Sequence, residues 1–348
     1  MASEMHKVNG ETITLAHGSG GKAMRDLIDD VVLGNFANPY LAPLEDQARL
    51  ELAELSAEGD RLAFTTDSFV VDPIEFPGGD IGKLAVNGTV NDLAMSGARP
   101  RFLTCGFIIE EGLPVDTLRR IANSMRRAAE AADVAIVSGD TKVVHKGAAD
   151  QLFINTSGVG VIPTGLKIGA DRATPGDAVI VNGVMGDHGA AILSARGDLA
   201  LDSPITSDCQ ELYTQVKALC QVCPDIHCLR DATRGGVATV LNELAASAGV
   251  TIRIQEPALP VREVVRGVCE ILGLDPLYLA NEGKFVAIVP QAYAATAVQA
   301  LRVTPGGEEA VVIGEVVERI RSGVQLVTSF GSLRVIDMLV GEQLPRIC

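Results

Sequence analysis

Apolar positions recur along the chain with two periods, one typical of helices and one typical of strands. In residues 114–132, Leu118, Ile121, Met125 and Ala128 fall on one helical face, and Pro114 stands near the start. The same reasoning predicts helices over residues 82–96, 114–132, 190–196, 212–222, 237–248 and 292–301. Strands are predicted over residues 61–66, 102–109, 135–137, 151–162, 251–254, 285–289 and 311–317, and within 174–189.

The two ends of the chain have a different pattern. The first forty residues begin rich in glycine and then become helical, with Leu27, Ile28 and Val31 on one face before Pro39 and Pro43. The last residues show too little apolar periodicity for a packed element beyond 338–340. Between the ends, strands and helices alternate in two similar halves, so the sequence predicts an α/β or α+β fold with two domains.

Composition and charge exclude several classes of protein. The chain has 348 residues, of which 47% are hydrophobic and 21% charged, which excludes general disorder. No apolar run is long enough for a membrane helix, and the start lacks the apolar core of a secretory leader, so we expect a cytoplasmic protein. The net charge of −15 argues against general nucleic-acid binding.

The cysteines do not suggest a disulfide framework, because their number is odd, at seven, and no secretory leader is expected. Cys220, Cys223, His227 and Cys228 lie within nine residues and loosely suggest a zinc site. A second, distant pair of ligands is missing, so buried thiols are the preferred interpretation. Cys348 is distinct because it is the last residue.

Four aspartates stand beside glycine, asparagine or threonine, in segments that we expect to be loops. They are Asp67, Asp92, Asp140 and Asp231. Such carboxylates suit a hard cation, most simply Mg²⁺ that also contacts phosphate oxygens. The alternative is that aspartate only favours turns, which for any single one of the four is the better explanation. Together they favour a metal site modestly.

Two glycine-rich segments precede predicted helices and could offer backbone N–H groups to phosphate. They are HGSGGK at residues 17–22 and TRGG at 233–236, and neither has the spacing of a Walker loop. Plain turns are the alternative. Lys142 lies two residues after Asp140 and could place a cation near a bound phosphate. Glu282 could act as a general base if it is desolvated, although surface positions are the simpler interpretation for both.

The C-terminus is the most unusual feature of the sequence. The chain ends in LPRIC, in which Pro345 keeps the following residues extended and the preceding Gly341 loosens the chain. A thiol at the end of a mobile peptide could reach more than one place, as a carrier arm must.

Taken together, these segments resemble a known family. The segments HGSGG, DSFVVDPIEFPGGDIGKLAVNGTVNDLAMSGA, SGDTKVV, GDHG, DATRGGVATVLNE, LANEGK and PRIC are similar to those of the HypE-type carbamoyl dehydratases of hydrogenase maturation, within the aminoimidazole-ribonucleotide synthetase-like (PurM-like) superfamily. The resemblance runs from about residue 12 to 348. It implies an arm over residues 1–44, an ATP-binding domain over 45–165, a second domain over 166–331 and a mobile tail over 332–348.

The resemblance also implies an activity. The carbamoyltransferase HypF would load a carbamoyl group on Cys348, and ATP would then drive its dehydration to a thiocyanate. The cyano group would pass to iron on a HypC–HypD scaffold and become a ligand of the [NiFe] centre. A homodimer would form through the sheets of the first domains.

The resemblance assigns roles to individual residues. Cys348, Glu282 as the base and Lys142 as its assistant would be catalytic, and ATP and Mg²⁺ would be required. The implied metal ligands are Asp67, Asp92, Asp140 and Asp231. The implied ATP-binding residues are Gly18, Ser19, Gly20, Gly21, Lys22, Asn91, Asp92, Thr141, Thr233, Gly235 and Gly236.

Two other functions stay open at this point. A related ATP-dependent synthetase or kinase acting on a free small molecule would share the acidic and glycine-rich segments but would have no use for a terminal thiol. A non-catalytic carrier would use Cys348 only to transport a group made elsewhere, and would not turn over ATP.

Overall fold

The computed structural model of the chain describes residues 7–197, 205–320, 323–339, 341 and 346–348. The α-helices are α1 (Lys22–Leu27), α2 (Gly34–Phe36), α3 (Leu52–Ser56), α4 (Ile81–Met95), α5 (Val115–Ala131), α6 (Asp187–Ala195), α7 (Tyr213–Val222), α8 (Gly236–Ala248), α9 (Glu263–Leu272) and α10 (Ala294–Arg302). A π-helix over Ile28–Leu33 joins α1 to α2, and 3₁₀ turns cover Leu15–Gly18, Glu256–Ala258, Pro276–Tyr278 and Gln291–Tyr293.

The strands form two large sheets and a short hairpin. The strands are β1 (Arg61–Phe69), β2 (Glu75–Phe76), β3 (Gly79–Asp80), β4 (Arg99–Glu110), β5 (Ala135–Val144), β6 (Leu152–Ile162), β7 (Asp177–Val181), β8 (Cys228–Asp231), β9 (Thr251–Gln255), β10 (Phe285–Pro290), β11 (Val311–Val317), β12 (Gly323–Val327) and β13 (Leu333–Ile336).

The first sheet has the strand order β1-β6-β4-β5. Strand β6 runs antiparallel to β1 and β4, whereas β4 and β5 are parallel and are joined by the crossover helix α5. Helix α5 buries Leu118, Ile121 and Met125 in the first core, which is the stripe that the sequence predicts. The other face of the sheet is open, and Phe64 is 72% exposed there.

Helix α4 lies between the two halves of the molecule and is buried almost all round. It begins at Asp80, whose side chain accepts hydrogen bonds from the N–H groups of Gly82 and Lys83 at 2.8 and 2.9 Å. A Cβ atom on Gly82 would lie 2.7 Å from the Ile121 carbonyl oxygen, so α4 and α5 approach closely only because glycine stands there. The end of α4, at Met95, packs into the core of the second sheet.

The second sheet has the strand order β13-β12-β9-β11-β7-β10-β8. All five residues of β7 are buried, which is expected of a central strand with both faces covered. Leu241 and Leu244 of α8 pack on one face, while Leu219 of α7 and Leu301 of α10 pack on the other.

The fold class is confirmed, and each predicted helix is found with shifts of at most three residues at its ends. Strands β1 and β5 continue to Phe69 and Val144, beyond their predicted ends at 66 and 137. Strand β8, helix α9 and strand β12 were not predicted. The prediction of no packed element near the C-terminus other than 338–340 is wrong, because β13 pairs with β12 and buries Ile336.

The division of the chain into an arm, two domains and a tail stays a prediction, although β13 lies in the stretch assigned to the tail. Residues 340 and 342–345 of that stretch, with Pro345 among them, lie outside the described residues. Within the described part of the chain, no helix is both long and apolar enough to cross a membrane.

Candidate active site

Three of the four predicted aspartates come together where α4 meets the ends of β1 and β8. Asp67 is in β1, Asp92 is in α4 and Asp231 is the last residue of β8, so the expectation that these residues lie in loops is wrong for all three. The Thr65 hydroxyl donates to Asp92 Oδ2 at 2.8 Å. A guanidinium nitrogen of Arg234 lies 3.9 Å from Asp67 Oδ1. We call Asp67, Asp92 and Asp231 the acidic cluster.

Burial raises the pKa values of all three carboxylates of the acidic cluster, and neighbouring charges add to the rise for Asp92 and Asp231. Burial raises the pKa of Asp231 to about 7, and the charges of Asp92 and Asp67 contribute to the rise. Burial also raises the pKa of Asp92, and Asp67 adds to that effect. The pKa of Asp67 is raised by burial as well. The cluster therefore holds more negative charge than its surroundings neutralise, which is the condition for recruiting a cation.

Glu282 lies beside this cluster and is 3% exposed. Its Oε1 atom has no hydrogen-bond partner among the described residues. Burial raises the pKa of Glu282 well above its ordinary value, and the charges of Asp208 and Asp231 raise it further. A buried carboxyl group with a raised pKa and an unpartnered oxygen is suited to accept a proton from a substrate.

The loop that carries Glu282 is fixed by Asp208, a residue that sequence reasoning missed. Asp208 accepts hydrogen bonds from the N–H groups of Glu282 and Gly283 at 3.0 and 3.2 Å. It also pairs with Lys284 at 3.2 Å, and both side chains are only 5% exposed. The signal for this clamp in the sequence was the lysine of NEGK, which is polar but lies directly before an apolar strand.

Asn91 holds the same loop from the side of α4. Its amide nitrogen donates to the carbonyl oxygens of Gln210 and Glu282 at 3.0 and 3.4 Å, and its oxygen accepts from the Leu212 N–H at 2.8 Å. All of these partners are backbone groups, and Asn91 is 2% exposed. The observed contacts make Asn91 a support of the Glu282 loop, and its predicted contact with ATP stays a prediction.

Asp140 does not join the acidic cluster, and it lies in β5 rather than in a loop. The strand register aligns Asp67 with Gly139 across the sheet, and it aligns Ser68 with Asp140. Since neighbouring side chains on a strand point to opposite faces, Asp140 lies on the open face and Asp67 on the covered one. The predicted set of four metal ligands is therefore divided within one chain.

Lys142 shares the open face with Asp140. Its ammonium group lies 2.7 Å from Asp140 Oδ2, and the two side chains are 63% and 62% exposed. The hydrogen bond from Lys142 holds the pKa of Asp140 below its ordinary value. Between them, Thr141 is buried.

One glycine-rich segment lies near Asp140 and Lys142, and the other lies near the acidic cluster. Gly18 packs so closely on β5 that a Cβ atom would lie 2.7 Å from the Val143 nitrogen, which places residues 17–22 beside Lys142. A cavity of about 280 Å³ lies in this region, lined mainly by apolar side chains of the arm such as Met24, Ile28 and Phe36, with Asp140 and Thr141 at one side.

The second glycine-rich segment lies on the side of the acidic cluster. Gly235 and Gly236 have φ angles of +72° and +60°, and α8 starts there. The φ of Gly236 and the Leu277 carbonyl oxygen, 2.5 Å from where its Cβ would be, leave no room for a side chain. The ATP contacts predicted for Gly18, Ser19, Gly20, Gly21, Lys22, Thr233, Gly235 and Gly236 stay predictions.

The last three residues dock beside the acidic cluster. The N–H of Val70, just after β1, donates to the Cys348 carbonyl oxygen at 3.2 Å, and the N–H of Asp72 donates to that of Arg346 at 3.2 Å. Ile347 is 4% exposed and belongs to the first core, and Cys348 packs against that core. The backbone of Cys348 is thus held at Val70, three residues along the chain from Asp67.

The cysteine-rich segment does not form the zinc site that we considered. Cys223 packs in the core under α7, whereas Cys228 packs in the core on the other face of the second sheet. His227 pairs with Asp177, with 2.7 Å between Nδ1 and Oδ2. In the described ranges, no three His, Cys, Asp or Glu side chains are arranged to hold a metal ion together.

The fold and this site define a class of protein. Two sequence models of the AIR synthase related proteins match the chain, the N-terminal domain over residues 44–162 and the C-terminal domain over residues 174–327.

The nearer relatives that we compared are more specific. Carbamoyl dehydratase HypE of Rhodobacter capsulatus is 59% identical over 338 residues, which cover 97% of this chain and 98% of the relative. A crystal structure of the hydrogenase maturation protein HypE in complex with ATP is 51% identical, covers 97% of this chain and 100% of its own, and has a TM-score of 0.92. The HypE chain of a HypE–HypF complex is 47% identical over 90% of this chain and 99% of its own, with a TM-score of 0.78. The chain belongs to the HypE carbamoyl dehydratases, an enzyme family of hydrogenase maturation.

Proposed function

We propose that this protein uses ATP to dehydrate an S-carbamoyl group on Cys348 to an S-cyano group, which supplies the cyanide ligands of [NiFe]-hydrogenase iron. The observation that carries the proposal is the docking of the chain's own last cysteine against Val70, just after the strand whose Asp67 belongs to the acidic cluster beside Glu282. Val70 fixes the backbone of Cys348 next to β1, and Glu282 lies beside Asp67 of the same strand. A substrate attached to that sulfur would be delivered to the acid–base group of the site.

The chemistry removes one oxygen and two protons from the carbamoyl group. ATP transfers its γ-phosphoryl group to the carbamoyl oxygen, so that ADP leaves and the nitrogen gives up one proton. The C–O bond then breaks, phosphate departs with the oxygen, and the nitrogen gives up its second proton as the C≡N bond forms. An amide oxygen is a poor leaving group and a phosphate ester is a good one, so the step through ATP is what makes dehydration feasible.

Glu282 is the group that we assign to accept the protons from nitrogen. Its raised pKa brings its basicity closer to neutral pH than that of an ordinary carboxylate. Asp208 and Asn91 hold its backbone in place. Lys142 would assist by stabilising negative charge on the transferred phosphate.

The acidic cluster fits Mg²⁺ that arrives with ATP. Mg²⁺ is commonly held by one or two carboxylates together with substrate phosphates, so a site with fewer than three protein ligands close together is compatible with it. One or two of Asp67, Asp92 and Asp231 would hold the ion directly, and it would balance the charge of the phosphates. Asp140 would serve this role only from another direction, because it lies on the opposite face of the first sheet.

The open face of the first sheet supports the proposal of a homodimer. Leu62 and Phe64 are 54% and 72% exposed on β1, and Ile108 is 42% exposed on β4. Apolar side chains in such a position favour cover by another protein surface. A second copy packed there would place Asp140 and Lys142 near the boundary between protomers. The cavity beside the arm is a candidate for the ATP base, since its lining is mainly apolar.

The partners follow from the same proposal. HypF would donate the carbamoyl group, in keeping with the solved HypE–HypF complex of a relative. A HypC–HypD scaffold carrying iron would accept the cyano group, and the reactions would take place in the cytoplasm. Movement of Cys348 between these partners and the docked position is part of the proposal.

Intact mass spectrometry tests the function. The protein is incubated with HypF, carbamoyl phosphate and ATP, and the C-terminal peptide is mapped, with Cys348→Ser as the control. A carbamoyl adduct on Cys348 that becomes a cyano adduct only with ATP is the expected result. A carbamoyl adduct that never changes would favour the passive carrier, and the absence of any adduct would favour an enzyme that acts on a free small molecule.

A further inference from the structure

His188, in α6, contacts the docked C-terminus although no role is yet assigned to it. The residue is 0% exposed. One ring nitrogen, Nε2, lies 2.7 Å from the carbonyl oxygen of Ile347, and the other, Nδ1, lies 2.8 Å from the Ser207 hydroxyl oxygen. The edge of the ring also packs against Phe76, with 5.6 Å between the ring centroids. The imidazole is therefore fixed on three sides.

The partners determine which nitrogen carries the proton. A carbonyl oxygen can only accept, so Nε2–H must donate to Ile347. Nδ1 then accepts a hydrogen bond from the Ser207 hydroxyl group. Burial lowers the pKa of His188, which favours the neutral ring that this arrangement requires. The Ser207 hydroxyl is in turn held by the Cys209 N–H, which donates to it at 3.1 Å.

The side-chain contacts of Arg346 are at the surface. Arg346 pairs with Asp72 and Asp150, and all three side chains are more than a third exposed. Exposed ion pairs of this kind contribute little. Arg196 donates to the Arg346 carbonyl oxygen at 2.7 Å. The hydrogen bond from His188 is thus a fully buried side-chain contact to the residue next to Cys348.

The same short segment also supports the base. Ser207 orients His188, and the next residue, Asp208, clamps the backbone of Glu282. The position of the docked C-terminus and the position of the proposed base therefore depend on adjacent residues. A shift of one would be transmitted to the other through two peptide units.

We propose that His188 is a positioning residue for the dehydration: by donating from Nε2 to the Ile347 carbonyl oxygen, it sets where the sulfur of Cys348 lies relative to Glu282. This inference rests on the proposed function. It adds a residue that does not touch the reacting atoms and acts through the backbone next to them.

The test compares His188→Ala, His188→Gln and His188→Asn. The amide nitrogen of glutamine can take the place of Nε2, whereas that of asparagine reaches only as far as Nδ1. We expect His188→Ala and His188→Asn to convert preformed carbamoyl adduct to cyano adduct about 3- to 10-fold more slowly at saturating ATP, which corresponds to the loss of one hydrogen bond. His188→Gln should recover most of the rate, and the ATP concentration for half-maximal rate should stay unchanged.

A second readout does not depend on catalysis. Iodoacetamide should alkylate Cys348 about 3- to 10-fold faster in His188→Ala than in the wild type, without ATP or carbamoyl donor. Alkylation of buried Cys105 in the same sample reports global unfolding, and His145→Ala, an exposed histidine, is the matched control. Ser207→Ala, which keeps the ring and removes only its hydroxyl partner, should shift both readouts in the same direction.

Wild-type rates of both reactions in His188→Ala and Ser207→Ala, with cyano adduct formed normally, would overturn the role of His188. A slow His188→Gln variant with the same defect as His188→Asn would also overturn it, since the Nε2 donor would then not matter. A wild-type protein that forms no cyano adduct would instead overturn the proposed function, and with it any role of His188 in dehydration.

Discussion

The two acidic regions of the molecule balance their charge in opposite ways. On the covered face of the first sheet, Asp67, Asp92 and Asp231 lie together, and their pKa values are raised. On the open face, Asp140 has its own cation, Lys142, at 2.7 Å, and its pKa is lowered. The first region needs a ligand to neutralise it, whereas the second is already neutral as a pair.

The difference indicates how the site divides its tasks. In the proposed mechanism, a cluster with uncompensated charge would take up Mg²⁺ and keep Glu282 basic, and the folded protein would bear an energetic cost for that charge. An exposed ion pair costs the folded protein little free energy, and Lys142 can exchange Asp140 for a phosphate group. We therefore expect substitutions in the covered region to change chemistry and stability together, and substitutions on the open face to change chemistry alone.

Glu282→Gln should have the largest effect. Without a base for the carbamoyl nitrogen, dehydration should slow by about 10²- to 10⁴-fold, because that is the usual contribution of general acid–base catalysis. The carbamoyl adduct on Cys348 should accumulate while ATP still binds. The measurement is the time course of both adducts by intact mass, with nucleotide binding measured separately. A variant that dehydrates the adduct at the wild-type rate would remove Glu282 from the mechanism.

Lys142→Ala should have an intermediate effect on the rate. We expect a loss of about 10- to 100-fold, less than is usual for a buried donor to an anionic centre, because Lys142 is exposed. The free energy of unfolding should change by less than about 1 kcal/mol, since exposed pairs contribute that much at most. Single-turnover kinetics and urea unfolding measure the two quantities. Unchanged turnover would mean that Lys142 only solvates the surface.

Asp231→Asn should stabilise the apoprotein, which is the smallest but most specific effect. The pKa of Asp231 rises from 3.8 to about 7 on folding, so the folded state binds the proton more tightly. The stabilisation that comes from this tighter proton binding is fully present below about pH 4 and is lost as the pH rises towards 7. At pH 8, without Mg²⁺, the asparagine variant should be more stable by an amount on the order of 1 to 3 kcal/mol, and the gain should vanish near pH 4.

Asp140→Asn is the matched control for that experiment. Lys142 lowers the pKa of Asp140, so the ionised carboxylate stabilises the folded protein at pH values above the ordinary carboxyl pKa. The substitution should therefore lower stability slightly or leave it unchanged at pH 8. Urea unfolding at pH 4, 6 and 8 gives both series. Equal behaviour of the two variants would show that the two regions do not differ in the way described.

Sequence reasoning predicted the elements whose burial is regular. Helix α5 could be predicted because Leu118, Ile121 and Met125 recur at the helical period and are all buried. The ends of β1 and β5 could not, because they carry small polar residues on both faces, as in the TTDS and SGDT segments. Such residues are as typical of turns, and only pairing with the neighbouring strands makes these segments extended.

The sequence pointed to individual residues of the candidate site, but it did not predict their geometry. The sequence indicated Asp67, Asp140 and Glu282 as candidate residues, yet the division between two faces depends on a register that runs through β6 and β4. The clamp from Asp208 to Glu282 joins residues 74 positions apart, and no periodic pattern links them. Contacts of this range come from the tertiary fold.

The most direct test of the mechanism follows the carbamoyl oxygen. Carbamoyl phosphate labelled with ¹⁸O in its carbonyl group is used with HypF to load Cys348, and ATP is then added. If ATP phosphorylates the carbamoyl oxygen, the label should appear in inorganic phosphate, one ¹⁸O for each cyano adduct formed. Unlabelled phosphate, with ¹⁸O released to water while cyano adduct forms, would contradict the account.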